Sequence, residues 1–267
     1  MNAGRTARER VRAELIREIT EIARRQLATE GAAGLSLRAV AREMGMVSSA
    51  IYRYFPSRDD LLTTLIIDGY NAVGTAVEKA DAAWPAEDYA GRWLAACRAV
   101  REWALAHPHE YALVYGSPVP GYQAPERTIG PASRAAAVFG KIIGAAYRAG
   151  ASGAPRPATE HAGRAAPGPA TEHAGRAAPG PATEHAGRAA PVLPVPESFG
   201  PDAARLRDAI LAGVPDEVAA GALIAWSGLF GLVSFELFGQ FENVVTDRAA
   251  FFDHAAARLG LLTGLPA

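Results

Sequence analysis

The chain has 267 residues, 49% hydrophobic and 21% charged, with a formal net charge of −1 and a single cysteine. That length buries a substantial core in one or two domains, and the composition excludes wholesale disorder and collagen-like repetition. One cysteine excludes a disulfide framework and any multi-thiolate zinc or iron–sulfur centre. The Arg-rich amino-terminal stretch carries Glu9 and Glu14 and lacks the apolar run of a secretory signal, so the expected compartment is the cytoplasm.

Charge is unevenly placed. Residues 1–58 hold 11 Arg, no Lys and 6 acids, a net +5, and the remainder carries −6. A basic head therefore sits on an acidic body. Local positive charge is what phosphate binding needs, because each neutralised phosphate releases counterions. The plainer reading is a helix surface laced with Arg–Glu pairs.

The first predicted helix runs from about Thr6 to Thr29 on Val11, Leu15, Ile19, Ile22 and Leu27. Ser36 caps a short second helix with Leu37, Val40, Ala41 and Met44 at i, i+3, i+4 and i+7, and Gly45 stops it. A third runs from about Ser48 to Tyr54 ahead of Pro56. The tetrapeptide from Ser57 to Asp60 has the form of a capping box and starts a fourth helix reaching about Ala80.

Further helices are expected over Pro85–His107, Pro108–Gly116 and Pro125–Ala149. A twelve-residue unit then recurs three times, starting at Pro157, Pro169 and Pro181. Each unit is bounded by proline and has no large apolar side chain, so it cannot offset its ordering entropy. Residues 151–200 therefore read as a disordered, extended linker. His161, His173 and His185 recur within it, but ligands on a flexible tether are not preorganised for a metal, and tandem duplication explains them. Helices over Pro201–Leu211, Pro215–Phe241 and Asp247–Leu262 follow. Val218–Phe235 has no charge over 18 residues, the lower edge of a membrane span. It is flanked by Glu217 and Glu236 rather than basic residues, and a buried bundle helix is the expected role. No strand is expected, so the fold class is all-α.

The informative block is residues 35–60. Two short helices joined at Gly45-Met46-Val47 form a helix-turn-helix, in which Gly45 supplies positive φ. Ser48, Ser49 and Ala50 open the second helix, with Tyr52, Arg53 and Tyr54 further along, and Ile51 and Phe55 facing inward. Small polar residues suit a helix that enters a major groove, with phosphate-binding groups around it. Arg38 begins the bracing helix, and Arg58 lies in the first turn of the fourth, where a phosphate can also meet backbone N–H groups.

Leu35–Ala41, Gly45, Ile51–Phe55 and Asp60–Leu62, with their spacing, resemble the TetR-type transcriptional repressors. The resemblance covers about residues 10–73. It implies an all-α homodimer with a three-helix DNA-binding domain at residues 1–60, the family-like part about 13–73 and the motif about 36–55. Residues 61–267 are then a ligand-binding and dimerisation bundle interrupted by the repeats. Later segments, from His107 to Gly116 and Trp226-Ser227-Gly228, are similar to a C-terminal subtype marked by Trp-His-Gly, with Ser227 in place of His.

The resemblance implies that Ser48, Ser49, Ala50 and Tyr52 touch base edges or a thymine methyl. It implies that Arg38, Arg53, Tyr54 and Arg58 contact phosphate, with guanine open to Arg38 and Arg53. The partners so implied are a palindromic double-stranded DNA operator, a second copy of the chain and an unidentified small-molecule effector. No membrane, cofactor, metal or catalytic residue is expected. Trp103, Tyr111, Tyr115, Tyr147, Trp226 and Phe230 could line an effector pocket, although aromatics at helical spacing are commonly core. Cys97 is expected in the core. Gly221, Ala225 and Gly228, at i, i+4 and i+7, are expected to let helices approach closely at the dimer interface. An effector-independent or activating regulator and an all-α carrier or enzyme are the alternatives, the last lacking a catalytic constellation.

Overall fold

The computed structural model describes residues 3–151 and 194–266. The twelve-residue repeats and their histidines lie outside the described residues. The described chain forms ten α-helices: α1 (Ala3–Gly34), α2 (Leu37–Glu43), α3 (Ser48–Ile51), α4 (Arg58–Ala82), α5 (Tyr89–Ala106), α6 (Pro108–Tyr115), α7 (Ile129–Ala149), α8 (Gly200–Ala209), α9 (Asp216–Leu237) and α10 (Arg248–Leu262).

Helix boundaries follow local chemistry. The regular part of α1 ends at Gly31, whose φ of +68° breaks the helix. Ser36 Oγ accepts from the Ala39 N–H at the start of α2, and Ser57 Oγ accepts from that of Asp60 at the start of α4. Three expectations shift. The α-helical part of α3 ends at Ile51, and a tighter i→i−3 turn carries the chain through Tyr54, because a residue before proline disfavours the helical region. Helix α5 starts at Tyr89 rather than Pro85, since the Asp88 carboxylate caps the Gly91 N–H. Helix α9 ends at Leu237, and Gly239 turns the chain at φ +78°.

Two cores result. The head core joins Ile19, Leu27, Val40, Ile51 and Phe55 to Leu61, Leu62 and Leu65 of α4 and to Leu113 of α6. The body core is built on Val73 and Val77 of α4, Trp93 and Val100 of α5, Phe139 and Ile142 of α7, and Leu229 of α9. Helix α4 thus runs from one core into the other. Helix α5 is tied to α10 by Trp93, whose indole N–H donates to the Ala256 carbonyl at 2.8 Å. It is tied to α9 by a bidentate Arg101–Glu236 pair at 2.6 and 2.7 Å.

The ridge of small residues on α9 is used within the chain. A Cβ on Gly221 would stand 1.9 Å from the Leu262 carbonyl oxygen, and one on Gly228 would stand 2.7 Å from a Leu259 methyl. Ala225 is fully buried. The close approach permitted by these residues is therefore between α9 and α10 of one chain. The outward faces of the two helices keep Leu223, Ile224, Phe235, Phe251, Leu261 and Leu262 exposed. Helix α9 is long and apolar enough to cross a membrane by length and composition, yet in this fold it packs on α5, α8 and α10.

Candidate functional site

Helices α2 and α3 are short and depend on neighbours for support. Leu37, Val40, Ala41 and Ile51 point into the head core, and Phe55 follows them. Gly45 makes the turn at φ +66° with open space where a Cβ would stand, and its left-handed geometry favours glycine. Gln26 of α1 accepts from the Ser36 N–H, tying the bracing helix to α1. The apolar anchors thereby fix which way the opposite face points.

That opposite face is open. Ser48, Ser49, Tyr52 and Arg53 are exposed, as are Arg38 and Arg42 on α2. Ala50 is half-buried. Tyr54 is half-buried beneath Arg12 of α1, whose guanidinium lies 5.4 Å from the ring centroid. Arg12 also donates to the Arg53 carbonyl at 3.4 Å. The sequence reading missed Arg12; the available signal was its i,i+4 spacing from Arg8 on the face that carries Ile19.

Arg58 sits differently from its expected phosphate role. Its Nε donates to the Leu35 carbonyl at 3.1 Å, and its Nη2 to those of Ala32 and Ala33 at 2.6 and 3.3 Å. The guanidinium thus clamps α4 onto the carbonyl-rich end of α1. Seven of the eight proposed DNA contacts remain on or beside the α2–α3 surface, and Arg58 points into the fold's own backbone.

In the body, four of the six candidate pocket aromatics converge. Phe230 lies 4.2 Å from Tyr115, 4.6 Å from Trp226 and 6.4 Å from Tyr111 by ring centroids. The Tyr111 hydroxyl donates to the Phe230 carbonyl at 3.0 Å and lies 2.9 Å from Ser234 Oγ. The Tyr115 hydroxyl is buried without a protein hydrogen-bond partner, and burial pushes its pKa well up. Beyond Trp226 lies a cavity of about 150 Å³ bounded by Trp93, Phe139, Ile143, Leu206 and Leu229. Trp103 and Tyr147 do not join the ring cluster. Trp103 stacks on His107 at 5.6 Å and borders a cleft between α1 and α6, its indole N–H buried without a protein partner. Tyr147 packs at the edge of the body core. Ser227, in the Trp-Ser-Gly motif, is exposed and donates to the Leu223 carbonyl within its own helix. Cys97 is fully buried, and burial pushes its thiol pKa up, the reverse of a reactive cysteine. Among the described residues no cluster of three or more His, Cys, Asp or Glu forms a metal site.

Besides α4, helix α6 touches both regions. Leu113 of α6 is buried in the head core, while Tyr111 and Tyr115 of the same helix join the aromatic cluster of the body. Arg24 of α1 pairs with Asp68 of α4 at 2.8 Å and lies 4.0 Å from Glu110 of α6. Burial raises the Asp68 pKa against the opposing pull of Arg24.

An exposed helix-turn-helix face on a helical body defines a DNA-binding regulator. Residues 19–65 match the family described as bacterial regulatory proteins, tetR family, and residues 93–259 match the tetracyclin repressor-like C-terminal domain. HTH-type transcriptional regulators of Mycobacterium bovis and Mycobacterium tuberculosis are each 36% identical over 251 residues, covering 93% of this chain and 90% of theirs. A crystallised protein assigned a regulatory role aligns with TM-score 0.67 at 30% identity, covering 94% of this chain and 97% of its own. A TetR family regulator from Thermus thermophilus shares the fold at TM-score 0.51 and 15% identity, covering 93% and 99%. The chain belongs to the TetR family of helix-turn-helix transcriptional regulators.

Proposed function

We propose that the protein is a cytoplasmic, homodimeric repressor that leaves a palindromic operator when a small apolar molecule binds its body. The observation that carries this reading is the open face of Ser48, Ser49, Tyr52 and Arg53, held outward by the buried Ile51 and Phe55. Ser48, Ser49, Ala50 and Tyr52 meet base edges, and Arg38, Arg53 and Tyr54 meet the backbone. Dimerisation uses the exposed apolar faces of α9 and α10. It sets the two recognition helices about 34–36 Å apart, or at a multiple of that distance.

Release of DNA is a population shift, driven by a ligand that binds one arrangement of the dimer better than the other. The cavity beside Trp226 supports an apolar effector, since about 150 Å³ of apolar space is enough for a ring the size of benzene. Tyr115 does not line this cavity; it is linked to it through Phe230, which lies 4.6 Å from Trp226 and 4.2 Å from Tyr115 by ring centroids. A ligand that displaces Trp226 pushes Phe230 against Tyr115 of α6, and α6 carries the change to the head through Leu113 and the Glu110–Arg24–Asp68 cluster.

Selection of bound sequences from random duplexes, repeated with small apolar compounds, tests this function. Enrichment of a palindrome that is lost with one compound class supports it; equal binding to all duplexes overturns it. On the selected operator, Arg53→Ala is expected to weaken binding and to lower the salt slope by about one per subunit without lowering the thermal midpoint. Retention of wild-type affinity removes Arg53 from the interface. Tyr115→Phe removes a buried unpaired hydroxyl and is expected to raise stability by about 1–3 kcal/mol. Calorimetry checks this, and a loss of stability places a partner on that hydroxyl.

A further inference from the structure

The arginines of α1 differ in what they do along the helix. Arg24 and Arg25 hold the fold, pairing with Asp68 at 2.8 Å and Glu43 at 2.7 Å. Arg8, Arg10, Arg12 and Arg17 are exposed and have no ion-pair partner among the described residues; of these, Arg12 touches the end of the recognition segment and Arg8 lies one turn from it on the same side. They lie in a part of α1 that the tetR match, beginning at residue 19, does not reach. Residues 3–18 extend the helix beyond that point by about 24 Å.

The pattern of this extension is directional. On the packed part of α1 the inward stripe is Ile19, Ala23 and Leu27, all buried. Followed toward the amino terminus, the same side of the helix passes through the half-buried Leu15 and Ile16 and then carries the exposed Val11 beside Arg12 and Arg8. Burial stops where the body of the head ends, and beyond it Arg12 and Arg8 stand exposed on this side with Val11 as the one large apolar neighbour. A face of this kind is complementary to anions, not to a core.

Its location identifies the anion. Arg12 lies against the end of the recognition segment, its guanidinium over Tyr54 and its Nη1 on the Arg53 carbonyl. When α3 occupies a major groove, this stripe meets the sugar–phosphate backbone beside it. Arg8 and Arg12 are one helical turn apart, about 6 Å along the axis, close to two nucleotide steps of one strand.

We propose that the amino-terminal turns of α1 are a second phosphate-binding element, in which Arg8 and Arg12 grip backbone phosphates next to the bases read by α3. The inference rests on the DNA-binding reading above and extends the contact surface beyond the helix-turn-helix. These contacts carry affinity and register but no base preference.

The test uses the full-length protein on its selected operator and on an unrelated duplex, titrated between 50 and 200 mM salt, roughly the range over which counterion release is resolved. Arg8→Ala/Arg12→Ala is expected to lower the slope of log affinity against log salt by about two per subunit. It weakens both duplexes alike and leaves the selected sequence unchanged. Arg8→Lys/Arg12→Lys keeps the slope, since a point charge suffices for a phosphate. An unchanged slope in the double alanine variant, with the wild type still binding its operator, overturns the proposal. So does weaker binding at constant slope with a lower thermal midpoint, which makes Arg12 a brace for Tyr54. Failure of the wild type to bind any duplex overturns the DNA-binding reading itself and is distinct from either result.

Discussion

Replacing Arg92 with alanine is expected to lower the unfolding free energy by about 3 kcal/mol at neutral pH. The figure is at the low end of the range for breaking a buried ion pair, roughly 3–5 kcal/mol. Arg92 and Asp81 are each only 6% exposed, with Nε 2.7 Å from Oδ1. Arg92 also donates to the Ala86 carbonyl at 2.8 Å, so one side chain closes the loop between α4 and α5. Its loss leaves a carboxylate in the joint of α4, α5 and α7 with only the Lys141 ammonium, 3.2 Å from Oδ2, to neutralise it. That remaining partner is why the low end of the range applies.

The pH dependence has a definite sign. Burial pushes the Asp81 pKa up, but hydrogen bonds from Arg92 and Lys141 outweigh it and hold the carboxyl below its ordinary value. A depressed carboxylate stabilises the fold above its unfolded pKa of about 4. That stabilisation is lost as pH falls through the lower, folded value. In Arg92→Ala burial is opposed only by Lys141, so Asp81 takes up a proton more readily. The gap between wild type and variant therefore narrows below about pH 4. Denaturant titrations at pH 7 and at acid pH check this, and a constant gap removes the ion pair as its cause. Asp81→Leu/Arg92→Met is expected to recover most of the stability, because replacing both partners leaves no orphaned charge.

Arg58→Ala is expected to cost about 2 kcal/mol of stability, since hydrogen bonds from a charged group contribute roughly 1.5–3 kcal/mol. It is expected to leave the salt slope of DNA binding unchanged. The side chain reaches the carbonyls of Ala32, Ala33 and Leu35, just where α1 ends and the chain turns toward α2. Loosening that clamp lowers DNA affinity through the position of α2, not through a lost phosphate contact. Lysine is not expected to replace it, because an ammonium lacks the planar fork that holds several carbonyls at once. Denaturation and salt titration of the same sample separate the two roles. Unchanged stability with a slope lower by about one per subunit makes Arg58 a phosphate ligand.

The recognition elements were legible for a local reason. Ser36, Gly45, Ser57 and the spacing of Leu37, Val40 and Ile51 act within a few residues of themselves. A cap, a left-handed turn and an apolar stripe can therefore be read in one dimension. Asp88 shows the limit: proline at position 85 is a sound start signal, yet a carboxylate that reaches the Gly91 N–H sets the boundary. Aromatics on four helices were equally suggestive in sequence, but ring distances separate Tyr111, Tyr115, Trp226 and Phe230 from Trp103 and Tyr147.

By itself the amino-acid order determined the all-helical architecture, the helix-turn-helix and its outward face, because short-range geometry and periodic burial suffice for them. Only the tertiary structure decided what the long side chains and the smallest residues do. Arg58 turns inward to carbonyls 23–26 residues away, Arg12 crosses to the turn that follows α3, and Gly221 brings two helices of one chain together. A guanidinium tip reaches several ångströms from its backbone, and a missing Cβ matters only when another backbone arrives there. Both outcomes depend on which distant segment lies alongside.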